Sequence, residues 1–211
     1  MTSEDDESKA LKLINWILNS AIKGVGPLSS STMLAKEYTI DESYASNVDR
    51  ISSLINWETS KNFTSGFITG LGGIITLPIA IPSALGASWI IQARMVGAIA
   101  EICGHDSEED RVRTLMLLAI CGDSMKEILK QAGINVGRKL TQKVIQQIPG
   151  KVFIEINKKI GFRLMTKAGE KGIVNAMKVV PIVGGVVGGV FDAYTCRLTG
   201  SAAKKIFCTD K

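Results

Sequence analysis

Apolar positions recur at three- and four-residue steps through residues 11–25, where Leu11, Ile14, Leu18, Ala21, Ile22 and Val25 form one stripe. The spacing predicts an amphipathic helix, with Ser3 as its N-terminal cap and the acids at positions 4–7 at its positive end. Gly24-Val-Gly-Pro27 stops it, so residues 1–27 read as an N-terminal helix and 28–211 as the main domain. Residues 29–60 are polar and form a helical hairpin, its second half carrying Ala45, Val48, Ile51 and Leu54 or Ile55 as the stripe. From Asn62 to Ala93 no residue bears a formal charge. Glycines and the prolines Pro78 and Pro82 divide that run into two hydrophobic helices, about 60–76 and 80–103. Such a hairpin is either the buried centre of a helical protein or a hairpin inserted in a membrane.

Beyond the turn at Gly104-His105-Asp106, Asp106 and Glu109 have capping-box spacing, which predicts a helix over 107–121 with Asp106 as its cap. Cys121-Gly122-Asp123 interrupts the pattern before Met125, Ile128 and Leu129 resume it. Residues 138–178 hold ten basic residues against two acids, a net of +8 where the whole chain has +5. The bases alternate with Val, Ile and Phe, as in two basic amphipathic helices broken at Pro149-Gly150. Helices of this type sit against anionic headgroups, which makes Lys151, Lys158, Lys159 and Arg163 candidate lipid contacts. The last apolar segment spaces Gly184 from Gly188 and Gly185 from Gly189 by four, as Gly66 is spaced from Gly70. This spacing lets helices approach closely and predicts that the two striped segments pack together.

Composition narrows the function. With 45% hydrophobic and 21% charged residues, the 211-residue chain can bury a core and is not disordered. Four unevenly spaced cysteines read as reduced thiols, and an acidic N-terminus without an apolar run reads as a cytoplasmic chain. The single histidine, His105, excludes two-histidine zinc motifs; there is no Cys-x-x-Cys pair, no P-loop and no Gly-x-Ser-x-Gly elbow. No catalytic residue, metal or cofactor is therefore assigned; Cys103, His105 and Asp106 lie too close together in sequence to form a productive nucleophile–base pair. Arg94 is the one charge between Asn62 and Ala100, and a buried charge needs a partner. Asp192, in the second glycine-rich segment, is the expected one.

Several stretches together resemble the EcsC family. They are 34–38 (LAKEY), 54–61 (LINWETSK), 66–73 (GFITGLGG) and 77–82 (LPIAIP), then Arg94, 98–100 (AIA) and 104–106 (GHD), and finally 181–189, Arg197 and 202–203. The similarity spans about residues 28–208. The chain departs from the family pattern at Ala80, where an acid is common, and at Cys103, where an aromatic is common. The resemblance implies a bacterial, all-helical protein of a family whose biochemical role is unassigned, though some members carry peptidase-like labels. The expected fold is all-α, with glycine-rich hydrophobic helices at its centre. The expected function is a membrane-associated, non-catalytic protein at the inner face of the cell membrane. It would act through anionic lipid or a membrane protein, with membrane disruption in bacterial defence as one use. A soluble hydrolase with a carboxylate-based site is the alternative. Nucleic-acid binding ranks last, since 138–178 holds only Phe153 and Phe162 as aromatics.

Overall fold

The computed structural model describes residues 4–63, 83–134, 148–177 and 181–208. These form eight α-helices: α1 (Glu4–Lys23), α2 (Ser31–Ile40), α3 (Asn47–Phe63), α4 (Ser83–Ile102), α5 (Asp110–Ile120), α6 (Met125–Gln131), α7 (Gly150–Met177) and α8 (Pro181–Phe207). The all-α expectation holds for these residues.

Everything is arranged around α4. Each residue from 85 to 100 is buried, because α1, α2, α3, α5 and α8 all pack against this helix. A helix buried on every side must be apolar on every side, which is why the uncharged run was its signal. Its observed span, 83–102, matches the predicted 80–103, and it is the buried centre of the described fold. No helix among the described residues is long and apolar enough to cross a membrane. Two uncharged polar side chains in its middle find partners inside the fold: Gln92 donates to Ser88 Oγ (3.0 Å) and accepts from Thr199 Oγ1 of α8 (2.8 Å). The companion helix predicted at 60–76 lies beyond residue 63 largely outside the described residues, as do Gly66 and Gly70. Gly184, Gly185, Gly188 and Gly189 fall on the first turns of α8, but their surroundings also lie outside the described residues.

α1 places four acids in its first turn and Lys23 in its last, complementing the helix dipole, and buries Ala10, Leu13, Ile14, Ile17, Leu18, Ala21 and Ile22. It ends where Gly24 takes φ 84°, a left-handed conformation suited to glycine, and Val25 and Leu28 exchange two backbone hydrogen bonds. Ser30 caps α2 by accepting from Met33 N (3.0 Å), and Ser46 caps α3 by accepting from Asp49 N (3.2 Å) while donating to the Asp49 carboxylate (2.7 Å). In α3 the buried face is Ile51, Leu54, Ile55 and Glu58. Ala45 precedes the helix and Val48 faces outward, so those two predicted stripe positions are corrected.

The helix predicted over 107–121 begins only at Asp110, with Glu109 at its cap position. Asp106 instead closes a turn by accepting from Glu108 N (2.8 Å), because Gly104, with φ 85°, delays the chain before the helix can start. A 3₁₀ turn, Gly122–Ser124, makes the expected interruption. α7 starts at the expected break, and its Phe153, Ile156, Ile160 and Leu164 turn inward. There α7 crosses α1 so closely that a Cβ at Gly161 would stand 2.8 Å from the Ala10 carbonyl oxygen.

The thiols are the clearest correction. Cys103, just past α4, and Cys208, just past α8, form a disulfide with Cα atoms 5.5 Å apart; Cys121 and Cys196 are free. The ends of α4 and α8 converge, as the His105–Phe207 ring contact at 5.4 Å also shows, although the two cysteines are 105 residues apart in sequence. No spacing rule connects residues that distant. Burial pushes the Cys121 thiol up to about 12, which keeps it protonated and unreactive at neutral pH. Because the crosslink closes so long a loop, Cys208→Ser is expected to lower unfolding free energy by about 4 kcal/mol, measured by urea denaturation. Equal midpoints for Cys208→Ser and the oxidised protein would refute a stabilising crosslink.

Candidate functional site

The most polar feature of the core lies where α2, α3 and α4 meet. Arg94 is 3% exposed and Glu58 fully buried. Arg94 Nη2 stands 2.9 Å from each Glu58 carboxylate oxygen, and Nη1 donates to Ser29 Oγ (3.2 Å) and toward the Ser29 carbonyl (3.4 Å). Lys61, one turn beyond Glu58, adds its ammonium at 2.9 Å. Glu58 is therefore the partner of Arg94, and the expected Asp192 pairing is corrected. The reason is helical phase. α8 meets α4 through Cys196 against Met95 and Thr199 against Gln92, whereas Arg94 sits on the face turned toward α3 and the start of α2. Asp192 lies half-buried one turn before Cys196, its carbonyl accepting from Thr195 Oγ1 (3.1 Å).

Beside this ion pair, α2, α3 and the connection between them line an open pocket of about 520 Å³ with Tyr38, Tyr44, Ser53, Asn56, Trp57 and Ser60. The rings of Tyr38 and Tyr44 stack, with centroids 5.8 Å apart and planes 24° from parallel. Tyr44 Oη and Ser53 Oγ share a hydrogen bond of 2.9 Å. Arg50 Nε ties the two helices together by donating to the Tyr38 carbonyl (3.0 Å). Trp57 stays 59% exposed, with the Lys61 ammonium 5.7 Å from its ring centroid. Burial, the neighbouring Tyr44 hydroxyl and the nearby Glu58 carboxylate push the Tyr38 phenol up to about 12. Chemically the arrangement suits binding. Both oxygens of the buried Glu58 carboxylate are taken up by Arg94, so neither is turned toward a molecule in the pocket.

The predicted lipid contacts lie elsewhere, on α7, which packs on α1, α5 and α6. Lys151 is exposed; Lys158 pairs with Glu7 of α1 (2.5 Å), and Lys159 with Glu155 (3.1 Å). Arg163 donates to Ser124 Oγ (2.9 Å). The Glu7 contact raises the Lys158 ammonium above the usual lysine range. Among the described residues, no cluster of His, Cys, Asp and Glu could hold a metal ion.

A family model for the EcsC protein family matches residues 18–209. The chain belongs to the EcsC family. The match begins inside α1, whose apolar face is part of the main core. No curated protein and no solved structure is similar enough to the chain to add to this. The stretches at 34–38 and 54–61 that carried the resemblance supply Tyr38, Asn56, Trp57, Glu58, Ser60 and Lys61 of this EcsC protein's pocket and ion pair, and Arg94 supplies the third element. Sequence reasoning named Arg94 alone of these residues. The available signal was a tryptophan and an acid side by side just ahead of the uncharged run that begins at Asn62.

Tyr38 yields a pH prediction. Its folded pKa is raised above the unfolded value near 10, so its contribution to stability is intact below pH 10 and is lost as pH rises through about 12. Chemical denaturation of the wild type should show stability falling across that window, and Tyr38→Phe should flatten the fall. Parallel pH profiles for the two proteins would rule the assignment out.

Proposed function

We propose that this EcsC-family protein works at an anionic membrane surface, binding headgroups or a membrane partner through the outer face of α7 and catalysing no reaction itself. The observation that carries this reading is Ile154. It is 60% exposed on a helix that buries Ile156, Ile160 and Leu164. Lys151 lies three residues before it and Lys158 four after, on the same face. An apolar side chain between lysines suits a headgroup layer, where charge brings the helix down and the side chain enters the boundary. The ion pairs of Lys158 and Lys159 are partly solvent-exposed, and such pairs are weak and screened by salt, so an anionic lipid can compete for the ammonium groups. Since the remaining apolar stripe of α7 is committed to the core, binding would rest on charge more than on insertion.

Sedimentation with vesicles tests this. Binding is expected to phosphatidylglycerol vesicles and not to phosphatidylcholine vesicles, and it should fall as salt shortens the screening length. Replacing Lys151, Lys158, Lys159 and Arg163 with Gln should weaken binding by about tenfold or more, given about 1 kcal/mol per base near the surface. Helical content should stay unchanged. Equal binding to neutral vesicles, or binding to neither, would defeat the α7 reading.

A further inference from the structure

We infer that the pocket between α2 and α3 is a binding site for a sugar ring, free or as the headgroup of a glycolipid. It is independent of the α7 surface and stands or falls separately from it. The pocket joins three aromatic rings, Tyr38, Tyr44 and Trp57, to a polar rim of Ser53, Asn56 and Ser60. A pyranose presents the matching chemistry: an apolar face of C–H groups that packs on an aromatic ring, edged by hydroxyls that exchange hydrogen bonds with hydroxyl and amide side chains. The volume of about 520 Å³ lies within the range of small-ligand pockets, roughly 300–1,000 Å³.

Three other ligand classes fit less well. A phosphate or carboxylate would meet no cation among the lining residues: Lys61 and Arg94 are held by Glu58, and Arg50 by the Tyr38 carbonyl and Asn47 Oδ1. An organic cation at Trp57 would be repelled by the Lys61 ammonium that stands over the indole, whereas a neutral sugar ring would not. A nucleobase needs a slot between flat rings, and Tyr38 and Tyr44 are stacked on each other. The pocket is also organised in advance of a ligand. The Tyr44–Ser53 hydrogen bond and the Tyr pair fix its walls, while the large exposed indole of Trp57 contributes little to packing in the fold.

Saturation-transfer NMR on the full chain, observing the C–H protons of methyl glucoside, methyl galactoside and N-acetylglucosamine, tests the assignment. At least one glycoside should show transfer to its ring protons with a dissociation constant on the order of millimolar, typical of a shallow site. Trp57→Ala should weaken it about tenfold or more, Trp57→Phe should retain part of it, and Asn56→Ala should weaken it while leaving the aromatic contact. Trp57 and Asn56 are exposed, so these variants are expected to fold, checked by circular dichroism. A second arm compares phosphatidylcholine vesicles with and without glucosyldiacylglycerol. Binding that needs the glycolipid, is lost in Trp57→Ala and survives the α7 substitutions would identify the ring's source as a membrane headgroup. No transfer to any glycoside and no preference for glycolipid vesicles would overturn the inference. So would equal, Trp57-dependent binding of adenosine monophosphate or tetramethylammonium.

Discussion

The Glu58–Arg94 ion pair is the constraint around which this fold is arranged. Removing two opposite charges from water costs several kcal/mol each, and the cost is offset only where they meet in good geometry with further hydrogen bonds. Here they meet at 2.9 Å, with Lys61 and Ser29 supplying the additional contacts. Arg94 lies in the helix that α1, α2, α3, α5 and α8 all touch, so satisfying it requires α3 and the lead into α2 to dock on one face of α4 at one height. Apolar packing alone would tolerate sliding of these helices, whereas an ion pair with three donors does not. The pocket follows from that docking. Trp57 and Lys61 flank Glu58 on α3, and Tyr38 reaches close enough from α2 to feel its charge.

Legibility from sequence followed the range of the interactions. α4 was readable to within three residues at either end because burial on all sides writes an uncharged run into the chain. α1, the 3₁₀ interruption at 122–124 and the start of α7 at Gly150 were readable because glycine, proline and helix-end acids act locally. The need of Arg94 for a partner was legible too, but the partner's identity was not. It depends on which side of α4 each neighbour occupies, and Asp192 and Glu58 are equally plausible until that is known. Residues 103 and 208 were missed as a pair for the same reason. Asp106 shows a subtler limit, since its spacing to Glu109 fits a capping box while the left-handed Gly104 moves the helix start three residues on.

The two surfaces that offer function are on different parts of the fold. α7, with α1 and α5, presents lysines whose apolar neighbours are mostly committed to the core, and α1 partly covers it with Glu7. The α2–α3 side presents aromatic rings and hydroxyls over a neutralised ion pair. The first favours charge, the second shape and stacking.

The central claim, that Glu58 and Arg94 are one energetic unit, is tested most directly by a double-mutant cycle with Glu58→Leu and Arg94→Met, read by urea unfolding. Each single change strands a buried charge and is expected to cost about 3–5 kcal/mol. The double change removes both charges together and should cost no more than either single, a coupling of about 3 kcal/mol or more. Additive losses would contradict the account and leave the position of α3 on α4 to apolar packing alone.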